Sequence, residues 1–205
     1  MKIVSVWNPK GGQGKSLIAL NLAAAAVSEL ELTPLVLCRD PQGTAMLSHA
    51  QGNLPFDVKP SYPEGATKYD LVIADHMASD WEVPPAPTVV IPTKPVRTDY
   101  ATFRDALTRL EKAGKRIIQV VTDGSMARRG ERAMILAMRR TGAFEIRSCG
   151  VFSRAAEQYR TIFDPAVNRV YGVKDRRHEM SAILAAVLTS TAVQPDLEER
   201  TMTYG

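Results

Sequence analysis

A glycine-rich loop near the start of the chain constrains the fold more than any other feature of the sequence. The loop, Lys10-Gly11-Gly12-Gln13-Gly14-Lys15-Ser16, follows an apolar strand over residues 3–7 and precedes an apolar helix over residues 16–30. Glycines let a backbone turn tightly and aim its N–H groups at phosphate oxygens, and a helix N-terminus adds partial positive charge. Lys15 can then reach the β- and γ-phosphates of a nucleotide, and the Ser16 hydroxyl can bind Mg²⁺. The predicted nucleotide-binding residues are Lys10, Gly11, Gly12, Gln13, Gly14, Lys15, Ser16 and Leu17.

Apolar strands alternate with helical segments along the rest of the chain. Continuous apolar strands are typical of a parallel sheet that helices cover on both faces. The sequence therefore predicts an α/β fold, with a mainly parallel twisted sheet and helices on both faces. We expect one domain over residues 1–205, with 194–205 as a loose tail. Strands are predicted at 3–7, 35–37, 71–74, 88–91, 116–121 and 144–151, helices at 16–30, 99–113, 131–140 and 181–188, and a connection at 51–68.

Composition and cysteine content are typical of an ordinary globular protein of the cytoplasm. Apolar residues make up 45% of the 205 residues and charged residues 23%. The two cysteines, Cys38 and Cys149, imply no disulfide framework, which favours a reducing compartment. The N-terminal segment has the character of a strand and not of a signal peptide, and no apolar run is long enough to span a bilayer. We therefore expect a soluble cytoplasmic protein.

Positive charge is concentrated in the second half of the chain. Residues 1–100 carry 8 Lys and Arg against 10 Asp and Glu, whereas residues 101–205 carry 18 against 12. Because Arg matches phosphate oxygens, this asymmetry predicts a polyanion partner, and a solvated basic surface is the alternative. No sequence-reading motif is evident, so any DNA binding would be to the backbone, without sequence preference. The candidate DNA-binding residues are Arg128, Arg129, Arg139, Arg140, Arg154, Arg160, Arg169, Lys174, Arg176 and Arg177.

The loop departs from the usual P-loop pattern in a specific way. Pro9 stands five residues before Gly14, where that pattern has glycine, and Lys10 follows it. This variant, Lys-Gly-Gly-x-Gly-Lys-Ser, resembles the deviant Walker A box of the ParA/MinD family of ATPases. The resemblance implies binding of ATP with Mg²⁺. It also implies that Lys10 reaches across a nucleotide-sandwich homodimer to the phosphates of the partner.

Two further motifs carry the resemblance, which covers about residues 1–100. The family's second strand ends in Asp-x-Asp-Pro-Gln, and this chain has Cys38-Arg39-Asp40-Pro41-Gln42. Asp40 matches the second aspartate, which positions or activates the attacking water, while Cys38 replaces the first. Residues 69–75, Tyr-Asp-Leu-Val-Ile-Ala-Asp, are similar to the family's Walker B motif, in which Asp75 would hold Mg²⁺ through water. The resemblance thus implies Lys10, Lys15 and Asp40 as catalytic residues, and Ser16, Asp40 and Asp75 as metal-binding residues.

The chain is most similar to the short ParA proteins of plasmid segregation, in its length and in Asn8-Pro9 before the loop. The resemblance implies a partition or positioning ATPase with weak intrinsic hydrolysis. ATP would drive a dimer that binds nonspecific double-stranded DNA on the nucleoid. A ParB-like adaptor would then stimulate hydrolysis to segregate a plasmid or other cargo. By the same resemblance, adenine would bind near residues 121–123, but the resemblance assigns no individual residue to that contact.

Three alternatives belong to other functional classes. A MinD-like membrane positioning ATPase needs a basic amphipathic C-terminal helix, but residues 194–205 contain three acidic residues and lack such a face. We therefore expect no stable membrane association. A reductase or metal-cluster carrier needs paired cysteines, and Cys38 and Cys149 do not have that spacing. A metabolic carboxylase or synthetase can use the same loop, and the Asp-Pro-Gln motif speaks against it.

Overall fold

Within the described residues, seven parallel strands form one sheet, and helices cover both of its faces. The computed structural model describes residues 1–38, 43–64, 68–78 and 80–189. Strands β1 to β7 span Lys2–Val6, Pro34–Cys38, Asp57–Lys59, Leu71–Asp75, Thr88–Thr93, Arg116–Gly124 and Phe144–Arg147. Helices α1 to α6 span Lys15–Leu30, Thr44–Ala50, Arg97–Lys112, Arg129–Arg140, Gly150–Ala156 and Val173–Leu188, with a 3₁₀ turn at Pro165–Val167.

Strand β1 lies in the interior of the sheet, whose order is β3-β2-β4-β1-β5-β6-β7. All neighbouring strands run parallel, as strands joined by crossover connections do. Val6 at the end of β1 and Cys38 at the end of β2 both stand in register with Asp75 at the end of β4. The carboxyl ends of these strands therefore meet at one edge of the sheet. The predicted α/β fold with a mainly parallel sheet is confirmed.

Among the described residues, the two larger hydrophobic clusters lie on opposite faces of the sheet, each between the sheet and the helices that cover that face. Val4 and Val6 of β1 pack on one face with α1, α5 and α6. Helix α1 contains four consecutive buried alanines, residues 23–26, whose small side chains let it approach the sheet and α6 closely. Trp7 points to the other face, where it packs with Phe103 of α3 and with α4. This alternation along β1 follows from the period of two in a strand.

The structure differs from the sequence prediction where elements are short or rich in charge. The predicted connection at 51–68 contains the edge strand β3, and the predicted strand at 144–151 gives way to α5 before its end. Strand β3 has three residues, of which only Val58 is buried, so it leaves no apolar run in the sequence. Helix α6 begins at Val173 and not at residue 181, because charged side chains in its first turns obscure the helical pattern. Helix α2 lies where no element is predicted.

Some sequence-based expectations concern parts of the chain that the structure does not describe. Asp40 and the tail over residues 194–205 lie outside the described residues. The assignment of the whole chain to one domain stays a prediction. Among the described helices, none is both long enough and apolar enough to cross a membrane.

We expect Gly124→Ala to lower the free energy of unfolding by about 1–3 kcal/mol, because a Cβ there overpacks the junction between β6 and α4. That carbon would lie 2.8 Å from Cδ1 of Ile135 and 3.0 Å from Cγ of Pro95. Urea unfolding followed by circular dichroism measures the change. Gly130→Ala is the matched control, because a Cβ there meets nothing within 4 Å and alanine favours the helix. Equal stability of the two variants would contradict the packing argument.

Candidate nucleotide-binding site

The glycine-rich loop joins the end of strand β1 to the start of α1. Gly12 and Gly14 have φ values of 71° and 86°, a left-handed conformation that is unfavourable for residues with a Cβ. Gly14 is the N-cap of α1, which begins at Lys15. A cavity of about 560 Å³ opens over the loop, and the residues from Gly12 to Leu17 line it. The loop therefore presents the N-terminus of a long helix to a cavity, which is an arrangement that binds phosphate groups.

The side chain of Lys15 folds back over the loop beside this cavity. The residue is only 7% exposed, and its Nζ donates a hydrogen bond to the carbonyl oxygen of Lys10 at 3.1 Å. Burial lowers the pKa of Lys15, and the negative charges of Asp75 and Asp80 oppose this effect. A partly desolvated ammonium group attracts phosphate oxygens more strongly than one in bulk water. Lys15 is therefore suited to bind the phosphates of a nucleotide.

The oxygen atoms of Ser16 and Asp75 fit a Mg²⁺ ion. Both residues line the cavity, Ser16 in the first turn of α1 and Asp75 at the end of β4. Hydroxyl, carboxylate and water oxygens are the ligands that Mg²⁺ prefers, commonly together with phosphates of the substrate. Within the described residues, no group of three or more His, Cys, Asp and Glu could hold a metal ion. Ser16 and Asp75 would hold a Mg²⁺ ion together with phosphates of a nucleotide.

Lys10, the other lysine of the loop, contacts α3. Its Nζ lies 2.5 Å from Oδ1 of Asp99, in the first turn of that helix. Nε2 of Gln13 donates to Oδ2 of the same carboxylate at 2.8 Å, and the hydroxyl of Thr98 donates to Oδ1 at 3.1 Å. Burial alone raises the pKa of Asp99, but these three hydrogen bonds outweigh it and hold the pKa below its ordinary value. Asp99 is thus a charged anchor for the loop, which the sequence analysis did not identify.

The segment that follows Asp75 is held against β1 by two side chains. Nδ1 of His76 lies 2.7 Å from Oδ2 of Asp80, and its Nε2 lies 3.0 Å from Oγ of Ser5. Nε1 of Trp7 donates a hydrogen bond to the carbonyl oxygen of Asp80 at 2.9 Å. Both ring nitrogens of His76 are therefore occupied. The imidazole positions the backbone beside the cavity.

The far end of the cavity is formed by residues that the sequence analysis did not assign to the nucleotide site. Helix α5 contributes Phe152 and Ala155, and Arg160 and Ile162 follow it. The backbone N–H of Ile162 donates to Oδ1 of Asn21 at 2.9 Å, which ties this end of the cavity to α1. The spacing of Phe152 and Ala155 is compatible with a helix. However, α5 has only seven residues, too few for its periodicity to be recognised.

The region around Asp40, the predicted catalytic aspartate, is described only at its borders. Cys38 is buried at the end of β2 and lines the cavity. Gly43 and Thr44, at the start of α2, line the same cavity. Asp40 lies between these borders and outside the described residues, so its role at the attacking water stays a prediction.

The candidate DNA-binding residues fall into two groups. Arg160 pairs with Asp164 at 2.6 Å, and Arg176 is 6% exposed and donates to Glu179. Arg177 donates to backbone carbonyl groups and to a side chain of its own chain. These three arginines serve contacts within the fold. The other seven residues are exposed, with Arg128 and Arg139 in ion pairs to neighbouring glutamates: Arg128, Arg129, Arg139, Arg140, Arg154, Arg169 and Lys174.

Comparison with known proteins identifies the family. Residues 4–136 match the CbiA family model, which describes the CobQ/CobB/MinD/ParA nucleotide binding domain. The chain belongs to this family. The match covers the glycine-rich loop and the strand that ends at Asp75, so the ParA/MinD assignment is confirmed. The chain is thus a nucleotide-binding protein of the ParA/MinD type, which supports ATPase activity in general terms. No curated protein sequence matches the chain.

Solved structures of ParA/MinD proteins share the fold. A variant of McdA from Cyanothece in complex with ATP has a TM-score of 0.68 at 16% identity, covering 95% of this chain and 99% of that one. A plasmid partition protein from Borrelia burgdorferi B31 bound to AMPPNP has a TM-score of 0.69 at 16% identity, covering 90% and 98%. The cell division protein MinD from Aquifex aeolicus has a TM-score of 0.67 at 13% identity, covering 91% and 98%. At these identities the likeness shows the fold alone.

We expect the stability that Asp99 contributes to depend on pH. Its pKa in the folded chain is below the ordinary value of 3.8, so its contribution is complete above that value and is lost as the pH falls through the lowered pKa. Asp99→Asn should therefore lower the free energy of unfolding at neutral pH and have a smaller effect in acid. Urea unfolding of both proteins across this pH range measures the difference. A difference that did not vary with pH would exclude the carboxylate charge as its source.

Proposed function

We propose that this chain is a ParA-type partition or positioning ATPase. ATP and Mg²⁺ would assemble two copies into a sandwich dimer that binds double-stranded DNA without sequence preference. The observation that carries the proposal is the separation of the two loop lysines. Lys15 lines the cavity, whereas Lys10 is absent from the described residues that line it and pairs with α3. Lys10 thus belongs to the phosphate loop but lies outside the cavity of its own chain. It is suited to bind the nucleotide that a second copy holds.

Related structures support ATP with Mg²⁺ as the ligand. The McdA variant is in complex with ATP, the Borrelia protein is bound to AMPPNP, and MinD from Pyrococcus horikoshii is complexed with Mg-ADP. This chain supplies the corresponding groups, with Lys15 for the phosphates and the oxygens of Ser16 and Asp75 for the cation. In the proposed reaction, Asp40 positions the water that attacks the γ-phosphate. Hydrolysis is weak in the absence of a partner.

A second protein is part of the proposed cycle. MinD from Aquifex aeolicus, which shares the fold, has been solved in a MinC:MinD complex. By analogy, we propose that a ParB-like adaptor on a plasmid or other cargo stimulates hydrolysis and releases the dimer from DNA. This part of the proposal rests on the family, because the described residues do not identify the adaptor.

Helix α4 carries the surface that we propose for DNA. Arg129, Arg132 and Arg140 are exposed, and at 3.6 residues per turn they share one side of the helix with exposed Leu136. Met138, on the opposite side, is buried against the sheet. Arg132 was not among the candidates from the sequence, and its place on this side adds it to them. Guanidinium groups in such a row can bind successive phosphates.

We expect ATP-dependent binding to a duplex of mixed sequence that weakens steeply with salt. Fluorescence anisotropy would compare ATP, ADP and no nucleotide over a series of salt concentrations. Lys10→Ala should abolish the ATP dependence, because the variant lacks the amine that reaches the partner's phosphates. ATP-dependent binding that the variant retains would contradict the role of Lys10. No DNA binding in any state would overturn the partition function.

We expect the double variant Arg129→Ala/Arg140→Ala to reduce the slope of log affinity against log salt by about one per lost phosphate contact. The control Arg104→Ala/Lys112→Ala removes the same charge from exposed positions of α3 and should leave the slope near that of the wild type. The same salt titration in ATP measures both variants. Equal losses in the two variants would mean that net charge, and not the surface of α4, determines binding.

A further inference from the structure

The lysine that the proposed dimer requires is already bound within its own chain. Nζ of Lys10 lies 2.5 Å from the Asp99 carboxylate, and the two side chains are 36% and 9% exposed. The Asp99 carboxylate and the phosphates of a second copy compete for the single ammonium group of Lys10. If that group moved to the phosphates, it would leave the carboxylate. The ion pair and the contact to the partner are therefore alternatives.

The carboxylate does not depend on Lys10 for its position. Asp99 lies in the first turn of α3, where the partial positive charge of the helix N-terminus favours an anion. Gln13 and Thr98 donate to its two oxygens. These contacts remain available when Lys10 leaves. The carboxylate can therefore release the amine and receive it again without local unfolding.

We propose that Asp99 is a positioning residue that holds Lys10 on its own chain and so restrains ATP-driven dimerisation. The inference rests on the proposed function, because the competing site is the nucleotide of the partner. A triphosphate carries several negative charges against the one of Asp99, and a diphosphate carries fewer. The exchange of the amine therefore favours the dimer most when the partner holds ATP. Because the ion pair lowers the dimerisation constant with either nucleotide, ADP, which attracts the amine less, is the less able of the two to hold the dimer together.

The test uses Asp99→Asn, which removes the charge while keeping the shape and an oxygen that can accept from Gln13. Asp105→Asn is the matched control, because Asp105 is exposed on the same helix. The first measurement is the rate at which an amine-acylating reagent labels Lys10 in the full chain without nucleotide, read by mass spectrometry. The second is dimerisation against the concentration of a slowly hydrolysed ATP analogue, followed by sedimentation velocity. The third is the affinity for fluorescent ADP.

We expect Asp99→Asn to raise the labelling rate of Lys10 and to strengthen dimerisation. A partly exposed ion pair shifts an equilibrium by up to about fivefold, and each dimer breaks two pairs, so the dimerisation constant should rise by up to about 25-fold. The affinity for ADP should stay the same, because Lys10 does not line the cavity of its own chain and the amide oxygen of the variant can still accept from Gln13, which does line it. Asp105→Asn should match the wild type in all three measurements.

Several results would overturn the inference. Unchanged labelling of Lys10 in Asp99→Asn would mean that the ion pair does not restrain the amine. Weaker dimerisation of Asp99→Asn with normal ADP affinity would mean that Asp99 assists Lys10 in the dimer. Loss of ADP affinity in this variant would mean that Asp99 only supports the structure of the loop. If neither the wild type nor Asp99→Asn dimerised although labelling rose in the variant, the sandwich dimer and the restraint on it would both fall. The pairing itself would stand, which separates the two failures.

Discussion

The hydrogen bonds of Gln13 fix the glycine-rich loop, and the geometry of the site depends on them. Gln13 is 2% exposed; its side chain accepts from the backbone N–H of Lys94 after β5 and donates to Asp99 in α3. Its carbonyl oxygen accepts from Oγ1 of Thr122 in β6 at 3.1 Å. A loop with three glycines has much conformational entropy to lose. Contacts to three other elements order it in advance, so a nucleotide meets a preorganised site.

Helix α3 connects this loop to the segment beyond the Walker B strand. Its first turn carries Asp99, and Arg109 in its last turn donates a hydrogen bond to the carbonyl oxygen of Trp81. Trp81 follows Asp80, which Trp7 and His76 hold. The helix has 16 residues, and its Phe103 is buried against the sheet. One rigid element therefore supports both the group that binds Lys10 and the segment beside the cavity.

The sequence predicts the fold class and the phosphate loop because the signals for both are local. Apolar runs mark the central strands, and parallel strands bring a residue such as Asp75 to the same edge as the loop. The partnership of Gln13 and Asp99 could not be predicted, because 86 residues separate them and only the crossing of α3 over the loop brings them together. The sequence also shows that Arg176 is charged, but not that the fold buries it beside Glu179. Sequence patterns therefore predict the class of site, whereas packing in the folded chain determines which charged side chains remain exposed to bind a ligand.

In the proposed mechanism, DNA binding depends on nucleotide without any change in α4. One copy offers a short row of exposed arginines, and its affinity falls with salt in proportion to the phosphates it neutralises. Two copies joined by nucleotide double these contacts, and the second set binds at a high effective concentration, so the dimer is favoured strongly over the single chain. The amine of Lys10, shared between Asp99 and the phosphates of the partner, can then control DNA binding at a distance. Coupling between the nucleotide site and the DNA-binding surface of α4 requires only that dimerisation depend on the nucleotide.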